Sequence, residues 1–200
     1  GYIKRNPVSL YRSQHRGGKG VTAVKNIEED FVSNIYVAST LDTFLFFTNH
    51  GKVFWRKVYQ LPLASRTARG KAIVNLLNLA DDEKLAAILS INNFDDETNE
   101  KTILMVTKFG RIKKTSIKEF IKPLRKGKRA LTINEGDEII AAHVLKGTDT
   151  ILLVTQKGMC IHFEESDIRI MGRTAAGVRG ITLAANDFVV SAIVINNQDS

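Results

Sequence analysis

The sequence predicts an all-β protein, a propeller-like array of repeated four-stranded blades with about 50 residues per blade. Three observations carry that reading: an apolar Thr-x-x-Gly segment that recurs along the chain, a second series of glycines in step with it, and a net charge that oscillates with the same period.

The recurring segments are Thr43-Phe-Leu-Phe-Phe-Thr48-Asn-His-Gly51-Lys-Val-Phe-Trp55, Thr102-Ile-Leu-Met-Val-Thr107-Lys-Phe-Gly110-Arg-Ile-Lys-Lys114 and Thr150-Ile-Leu-Leu-Val-Thr155-Gln-Lys-Gly158-Met-Cys-Ile-His162. Each reads as a β-hairpin. The runs are rich in β-branched and aromatic residues, and the glycine supplies the positive φ that a tight connection needs. Gly1-Tyr-Ile-Lys-Arg5 reads as the second half of a fourth copy. The landmarks Gly1, Gly51, Gly110 and Gly158 are 50, 59 and 48 residues apart, and Gly20, Gly70, Gly127 and Gly180 follow them by 19, 19, 17 and 22 residues.

After the second glycine each copy reads as a short strand, an acidic turn and another apolar strand. The turns are Glu28-Glu-Asp30, Asp81-Asp-Glu83, Glu135-Gly-Asp-Glu138 and Asn186-Asp187; the closing strands include Ile139 to Leu145 and Phe188 to Ile195. Leu76 to Leu89 also carries an amphipathic helical pattern, but its counterparts in the other copies are strand-like, so a strand is expected there. Asn92 to Lys101 reads as a polar surface insert that accounts for the long spacing. Residues 1–200 therefore form one domain or a fragment of one, in about four units: 1–42 (partial), 43–101, 102–149 and 150–200.

The net charge is +8 with pI about 9.6, but the total conceals its distribution. Residues 1–20 carry +5, 51–71 carry +6 and 101–129 carry +10, with 22 basic side chains and 1 acidic among them. The stretches between, 21–50, 72–100 and 130–149, carry −3, −6 and −3; the last copy is weak, +1 over 150–180 and −2 over 181–200. In a radial repeat equal phase means equal place in the wheel, so the basic stretches line up as one band suited to a curved polyanion. The candidate contacts are Lys4, Arg5, Lys52, Arg56, Lys57, Arg66, Arg69, Lys71, Lys108, Arg111, Lys113, Lys114, Lys122, Arg125, Lys126, Lys128 and Arg129.

The most distinctive stretch is Gln14-His15-Arg16-Gly17-Gly18-Lys19-Gly20. Its glycines allow the backbone close to a phosphate chain, Arg16 and Lys19 supply charge, and Gln14 and the amides supply hydrogen bonds. Such a loop positions a backbone without reading sequence.

These residues resemble the Gln-Arg-Arg-Gly-Gly-Arg-Gly box of the C-terminal DNA-wrapping domains of DNA gyrase A subunits. Gln14, Arg16, Gly17, Gly18 and Gly20 agree, Lys19 keeps the charge of an arginine, and His15 replaces one with its charge mostly lost near neutral pH. The resemblance continues through Gly1-Tyr-Ile-Lys-Arg-x-Pro7, Tyr11-Arg12, Glu29-Asp-Phe-Val32, Phe46-Phe-Thr48-x-x-Gly51 and Arg66-x-x-Arg69-Gly70, and so covers essentially the whole chain. It implies a β-pinwheel of a family with five or six blades, whose outer rim binds and bends duplex DNA. It also implies an A2B2 complex, in which this domain joins the remainder of the gyrase A subunit, together with the B subunit. ATP and Mg2+ would serve other parts of that enzyme, with no cofactor in this chain.

Other functions are disfavoured. Tyr2, Tyr11, Tyr36 and Tyr59 do not resemble the Arg-Tyr nucleophile segment of a cleavage domain. Gly172-Arg-Thr-Ala-Ala-Gly177 has P-loop spacing, but Val178-Arg179 stand where Lys-Ser/Thr is required, so it reads as a blade turn. His15, His50, His143 and His162 are scattered and Cys160 is single, so neither a metal set nor an internal disulfide is expected. Trp55 reads as a core or rim aromatic before a stacking platform. No apolar run spans a membrane or forms a signal peptide, so a soluble, cytoplasmic chain is expected. Two alternatives stand behind the main reading: the homologous domain of topoisomerase IV, which usually has a degenerate box, and a protein-interaction or glycan-processing propeller.

Overall fold

A computed structural model describes residues 1–23, 31–92, 94 and 101–196. The strands in chain order are β1 (Tyr2–Ile3), β2 (Thr43–Thr48), β3 (Lys52–Lys57), β4 (Lys71–Ala72), β5 (Leu85–Ile91), β6 (Thr102–Thr107) and β7 (Arg111–Ser116). They continue with β8 (Lys128–Arg129), β9 (Ile139–Leu145), β10 (Asp149–Thr155), β11 (Cys160–Glu164), β12 (Val178–Arg179) and β13 (Val189–Asn196). A short helix, α1 (Ile73–Leu77), ends where Asn78 turns left-handed at φ 53. Of the helical pattern at Leu76 to Leu89 only Leu76 and Leu77 are helical, as the end of α1, and the strand expected in that segment is β5. The acidic turn Glu28-Glu-Asp30 and all of the insert 92–101 except Asn92, Phe94 and Lys101 lie outside the described residues.

The three Thr-x-x-Gly segments are hairpins, joining β2 to β3, β6 to β7 and β10 to β11. The threonine explains its own recurrence. Its carbonyl accepts the glycine amide at 3.0 Å in all three turns, and its hydroxyl accepts the next amide, from Lys52 at 3.3 Å, Arg111 at 3.1 Å and Met159 at 3.2 Å. The glycines sit at φ +77, +77 and +82, the left-handed place that closes a three-residue connection.

The acidic turns brace these tips. Asp137 accepts the Phe109 amide at 2.9 Å and Asp187 accepts the Lys157 amide at 3.1 Å, while in the first hairpin Asn49 takes the reciprocal role toward the Lys84 amide at 2.7 Å. Each of β5, β9 and β13 then pairs antiparallel with the first strand of its own hairpin, with one bulge beside the threonine.

The fourth strand comes from elsewhere in the chain. β8, in the stretch after the second hairpin, pairs with β3; β12, after the third, pairs with β7; β4 likewise pairs with β1. The sheets are therefore β5-β2-β3-β8 and β9-β6-β7-β12, with β13-β10-β11 three-stranded and β1-β4 two-stranded. This is an all-β pinwheel in which a strand of the following stretch completes each four-stranded blade.

The core lies between sheets. Ile103 and Met105 of β6 pack with Leu45, Phe47, Trp55 and Phe120, whereas Leu104 and Val106 pack with Ile112, Ile151, Leu153 and Ile168. Both faces of β6 are covered, which is why it reads as an unbroken apolar run. A third cluster joins Phe44, Phe46 and Phe54 to Leu61, Ile73 and Leu77. Donors at one repeated position also tie each sheet to the next stretch: Arg5 Nε to the Leu61 carbonyl at 2.9 Å, Trp55 Nε1 to Phe120 at 2.7 Å, and Lys114 Nζ to Glu165 at 2.8 Å. Trp55 is accordingly a core aromatic.

Neighbouring sheets meet through β5, β9 and β13. β8 and β12 stand at the opposite, outer end of their sheets. Among the described residues no helix is long and apolar enough to cross a membrane.

Candidate nucleic-acid interface

The outer strand pairs bring like charges face to face. Lys52 on β3 stands opposite Arg129 on β8, and Arg111 on β7 stands opposite Arg179 on β12. Facing cations destabilise an isolated sheet, and an anion between them relieves the repulsion. Lys52 is partly compensated by the buried Glu83 carboxylate at 3.4 Å. Arg111 is oriented instead: its Nε and Nη2 donate to the Ala176 and Gly177 carbonyls at 3.0 and 2.7 Å. Beside this pair a cleft of about 340 Å³ is lined by Phe109, Arg111, Asn134, Asp137, Arg179 and Ile181 to Leu183.

A loop ending in a positive-φ glycine precedes each outer strand: Arg66 to Gly70, Arg125 to Gly127 and Arg173 to Gly177, with φ +95, +74 and +80 at the glycines. The stretch ending at Gly20, φ +71, holds the same place after the first hairpin half. The fourth landmark is therefore Gly177, not Gly180. It lies 19 residues after Gly158, as Gly70 lies after Gly51. Gly70 and Gly177 also make the same close approach, since a Cβ on either would overlap the carbonyl oxygen of Ile3 or Ile112.

The glycine-rich stretch 14–20 is wholly exposed. Gln14 helps close it: its Oε1 accepts the Gly20 amide at 3.1 Å, while the Gly18 amide donates to the His15 carbonyl at 3.1 Å. Gln14 thus shapes the loop through its acceptor oxygen. Arg16 and Lys19 are exposed on that loop, with His15 between them and Gln14. A cleft of about 420 Å³ next to it is lined by Ser9, Leu10, Arg12, Gln14, Val21 and the half-buried Arg66, so two guanidiniums border it.

The other expected contacts separate by depth. Lys57, Arg69, Lys71, Lys122, Arg125, Lys126 and Arg129 are exposed, Arg69 with its guanidinium 3.8 Å from the Tyr2 ring centre. Lys128 is half-buried, its ammonium 5.6 Å from the Trp55 ring. Lys57 reaches the Leu41 carbonyl at 3.0 Å, Arg56 donates to Leu76 at 2.6 Å, and Lys108 pairs with Glu138 at 3.3 Å.

Four candidates point inward instead. Lys113 is 0% exposed and its ammonium donates to the carbonyls of Ala130 at 2.6 Å, Arg173 and Ala175. Burial and the Arg173 charge push its pKa down to about 8. Lys114 is buried on Glu165. Lys4 donates to Ala23, Ser65 and Arg66, and Arg5 to Leu61 and Tyr59. The reason is position: these side chains lie on or beside strands that the next stretch covers. Conversely, Arg12, the half-buried Arg173 and Arg179 join the basic surface without having been expected there. The matching Arg-Thr-Ala-x-Gly of 66–70 and 173–177 was the available signal.

The comparisons with known proteins agree with this architecture. The family described as "DNA gyrase C-terminal domain, beta-propeller" matches residues 1–39, 42–92, 101–146 and 149–196. The chain is 45% identical over 194 residues to the A subunit of DNA gyrase from Salmonella typhimurium (strain LT2) and 47% identical over 194 residues to that of Klebsiella oxytoca, covering 97% of this chain and 22% of each relative. It spans, then, under a quarter of their length. Among solved structures, a C-terminal domain of DNA topoisomerase IV superposes with TM-score 0.72 at 30% identity, covering 80% of this chain and 49% of that one. A DNA gyrase A C-terminal domain superposes with TM-score 0.68 over 97% of this chain and 61% of that one; at 22% identity it speaks for the fold. Matched along four consecutive stretches that follow its sequence repeats, this chain belongs to the DNA gyrase C-terminal domain family.

Proposed function

We propose that this chain binds, bends and wraps duplex DNA through its phosphates, without reading base sequence, and that the type II topoisomerase it serves uses the wrap to direct negative supercoiling. One observation supports this most. Exposed Arg and Lys recur at the same place in successive repeat stretches, on the loop that ends in a positive-φ glycine or on the outer strand after it: Arg16 and Lys19, Arg69 and Lys71, Arg125, Lys126 and Arg129, then Arg179. A band of that kind follows a curved backbone rather than a row of base edges.

Displacement of condensed counterions supplies the affinity. Bending a duplex by a right angle over 20–30 bp costs on the order of 1–6 kcal/mol, which several phosphate contacts per blade offset. The facing pairs Lys52 with Arg129 and Arg111 with Arg179 gain most, because a phosphate between them removes a repulsion already present in the free protein. Strand cleavage and ATP hydrolysis, with its Mg2+, fall to the remainder of the A subunit, together with the B subunit, in an A2B2 complex. This chain sets the direction of supercoiling.

The solved topoisomerase IV domain favours a second reading, in which the same surface serves that enzyme. The Gly17-Gly18-Lys19-Gly20 loop argues for gyrase, since it keeps the glycines and the charge of the box. A gel-shift and a DNA-bending assay on the chain test the binding reading, and a supercoiling assay on the full enzyme separates the two enzymes.

A further inference from the structure

Lys4 and Lys113 occupy the same place in the repeat, three residues after Gly1 and Gly110. Their ammonium groups do the same thing. Each donates to an alanine carbonyl three residues after the loop glycine of its own stretch, Ala23 after Gly20 and Ala130 after Gly127. Each also reaches into the arginine loop of the following stretch, Lys4 to Ser65 and Arg66 and Lys113 to Arg173 and Ala175. One cation thus ties the backbone just beyond one basic loop to the next basic loop, and a carbonyl it grips in the second belongs to the loop arginine itself.

The fold does not require a charge there. Phe54 and Ile161 stand at the equivalent position in the other two copies. Phe54 packs under the neighbouring loop by contact alone: a Cβ on Gly127 would meet its Cε1 at 2.9 Å. A cation partnered only by carbonyls, buried at Lys113 and half-buried at Lys4, is a costly substitute for an apolar side chain, yet it occurs twice with the alanine and arginine carbonyls in common. A ring fills space beneath the loop; an ammonium with three donors fixes the direction and separation of three carbonyls.

We propose that Lys4 and Lys113 are positioning residues that hold successive DNA-contacting loops at a set separation from beneath, without touching DNA. The proposal rests on the DNA-wrapping reading for its consequence, though not for the tether itself. It turns the two lysines from members of the phosphate-binding band into the frame that spaces it.

The test compares Lys113→Met and Lys4→Met, which keep length and remove the donors, with Arg125→Ala/Lys126→Ala, which removes exposed charge. Lys4 is only half-buried, so Lys4→Met keeps the test open if Lys113→Met fails to fold. Hydrogen exchange on the DNA-free chain should show faster amides at 172–177 in Lys113→Met and at 65–70 in Lys4→Met, by about tenfold or more, corresponding to about 1.4 kcal/mol of lost local protection. With a 30-bp duplex carrying a donor and an acceptor dye, both lysine variants should bend DNA less while log Kd against log[salt] keeps the wild-type slope. Arg125→Ala/Lys126→Ala should lower that slope by about two. A slope lowered by about one in either lysine variant means that the lysine touches phosphate and overturns the proposal, as does unchanged exchange or an unchanged bend. A wild-type chain that leaves the duplex unbound overturns the DNA reading and the positioning role with it, while the exchange measurement still decides the tether.

Discussion

Lys113-Lys114 and Lys128-Arg129 belong to one basic stretch of the sequence and to two opposite environments. The first pair lies on β7, which has β6 on one side and β12 on the other, and both side chains are buried on backbone carbonyls. The second pair lies on β8, the last strand of its sheet, where Arg129 is exposed and Lys128 rests near the Trp55 ring. What separates them is place in the sheet. On the penultimate strand Lys113 and Lys114 have neighbouring backbone over them and spend their donors on it, whereas Arg129 on the end strand keeps its charge toward solvent. Net charge by stretch counts both alike.

That contrast can be broken in order of expected effect. Replacing Arg16 and Lys19 with Ala in the full-length enzyme should abolish negative supercoiling of a relaxed plasmid and spare relaxation, because the wrap is lost while cleavage sites stay intact. Equal loss of both activities contradicts the assignment of the loop. Next, removing exposed charge at Arg125 and Lys126 should weaken binding at every salt concentration and flatten its salt dependence, with the melting temperature unchanged. A lower melting temperature at unchanged affinity would reverse the roles assigned to the outer and inner residues.

Smaller effects probe the inner set. Trp55→Phe keeps a ring but strands the buried Phe120 carbonyl, which accepts the indole N–H at 2.7 Å. It should cost about 1–3 kcal/mol in denaturant unfolding without altering the salt slope of DNA binding. The smallest effect is on pH dependence. Lys113 titrates near pH 8 in the folded protein, below the ordinary 10.5, with Arg173 and Glu119 the charged groups acting on it. The unfolded chain therefore holds a proton that the folded one has released between those values. The group's contribution to stability is full above 10.5 and lost as pH falls through about 8. Wild-type stability minus that of Lys113→Met should fall across that window as pH is lowered, and a pH-independent difference would contradict the assignment.

Much of the architecture was legible because the repeat exposes it. Thr48, Thr107 and Thr155 were visible as a pattern, and the structure supplies the reason, since each closes its own turn with carbonyl and hydroxyl. The exchange of strands between stretches was not legible. β8 and β12 are two residues each and pair with strands from an earlier stretch, too short for any periodicity and too distant for any turn signal. The same topology hid the fates of Lys113 and Lys114, because only the incoming strand and loop make their positions interior. The glycine-rich loop was legible in composition but not in division of labour. Gln14 holds the loop closed, leaving Arg16 and Lys19 as its exposed cations. Gly177 was missed in favour of Gly180 because a Gly-x-x-Gly offers two landmarks, and only the positive φ at 177 chooses between them.

The central claim is that the exposed outer cations hold a bent duplex by its phosphates. Its most direct test is the bend angle and Kd of the wild-type chain on duplexes of unrelated sequence, titrated with salt. Similar bends are expected on all of them, with a log–log slope of about −0.9 per phosphate contacted, steep enough to lose orders of magnitude in affinity between about 50 and 200 mM salt. A flat salt dependence, or binding confined to one sequence, would contradict it.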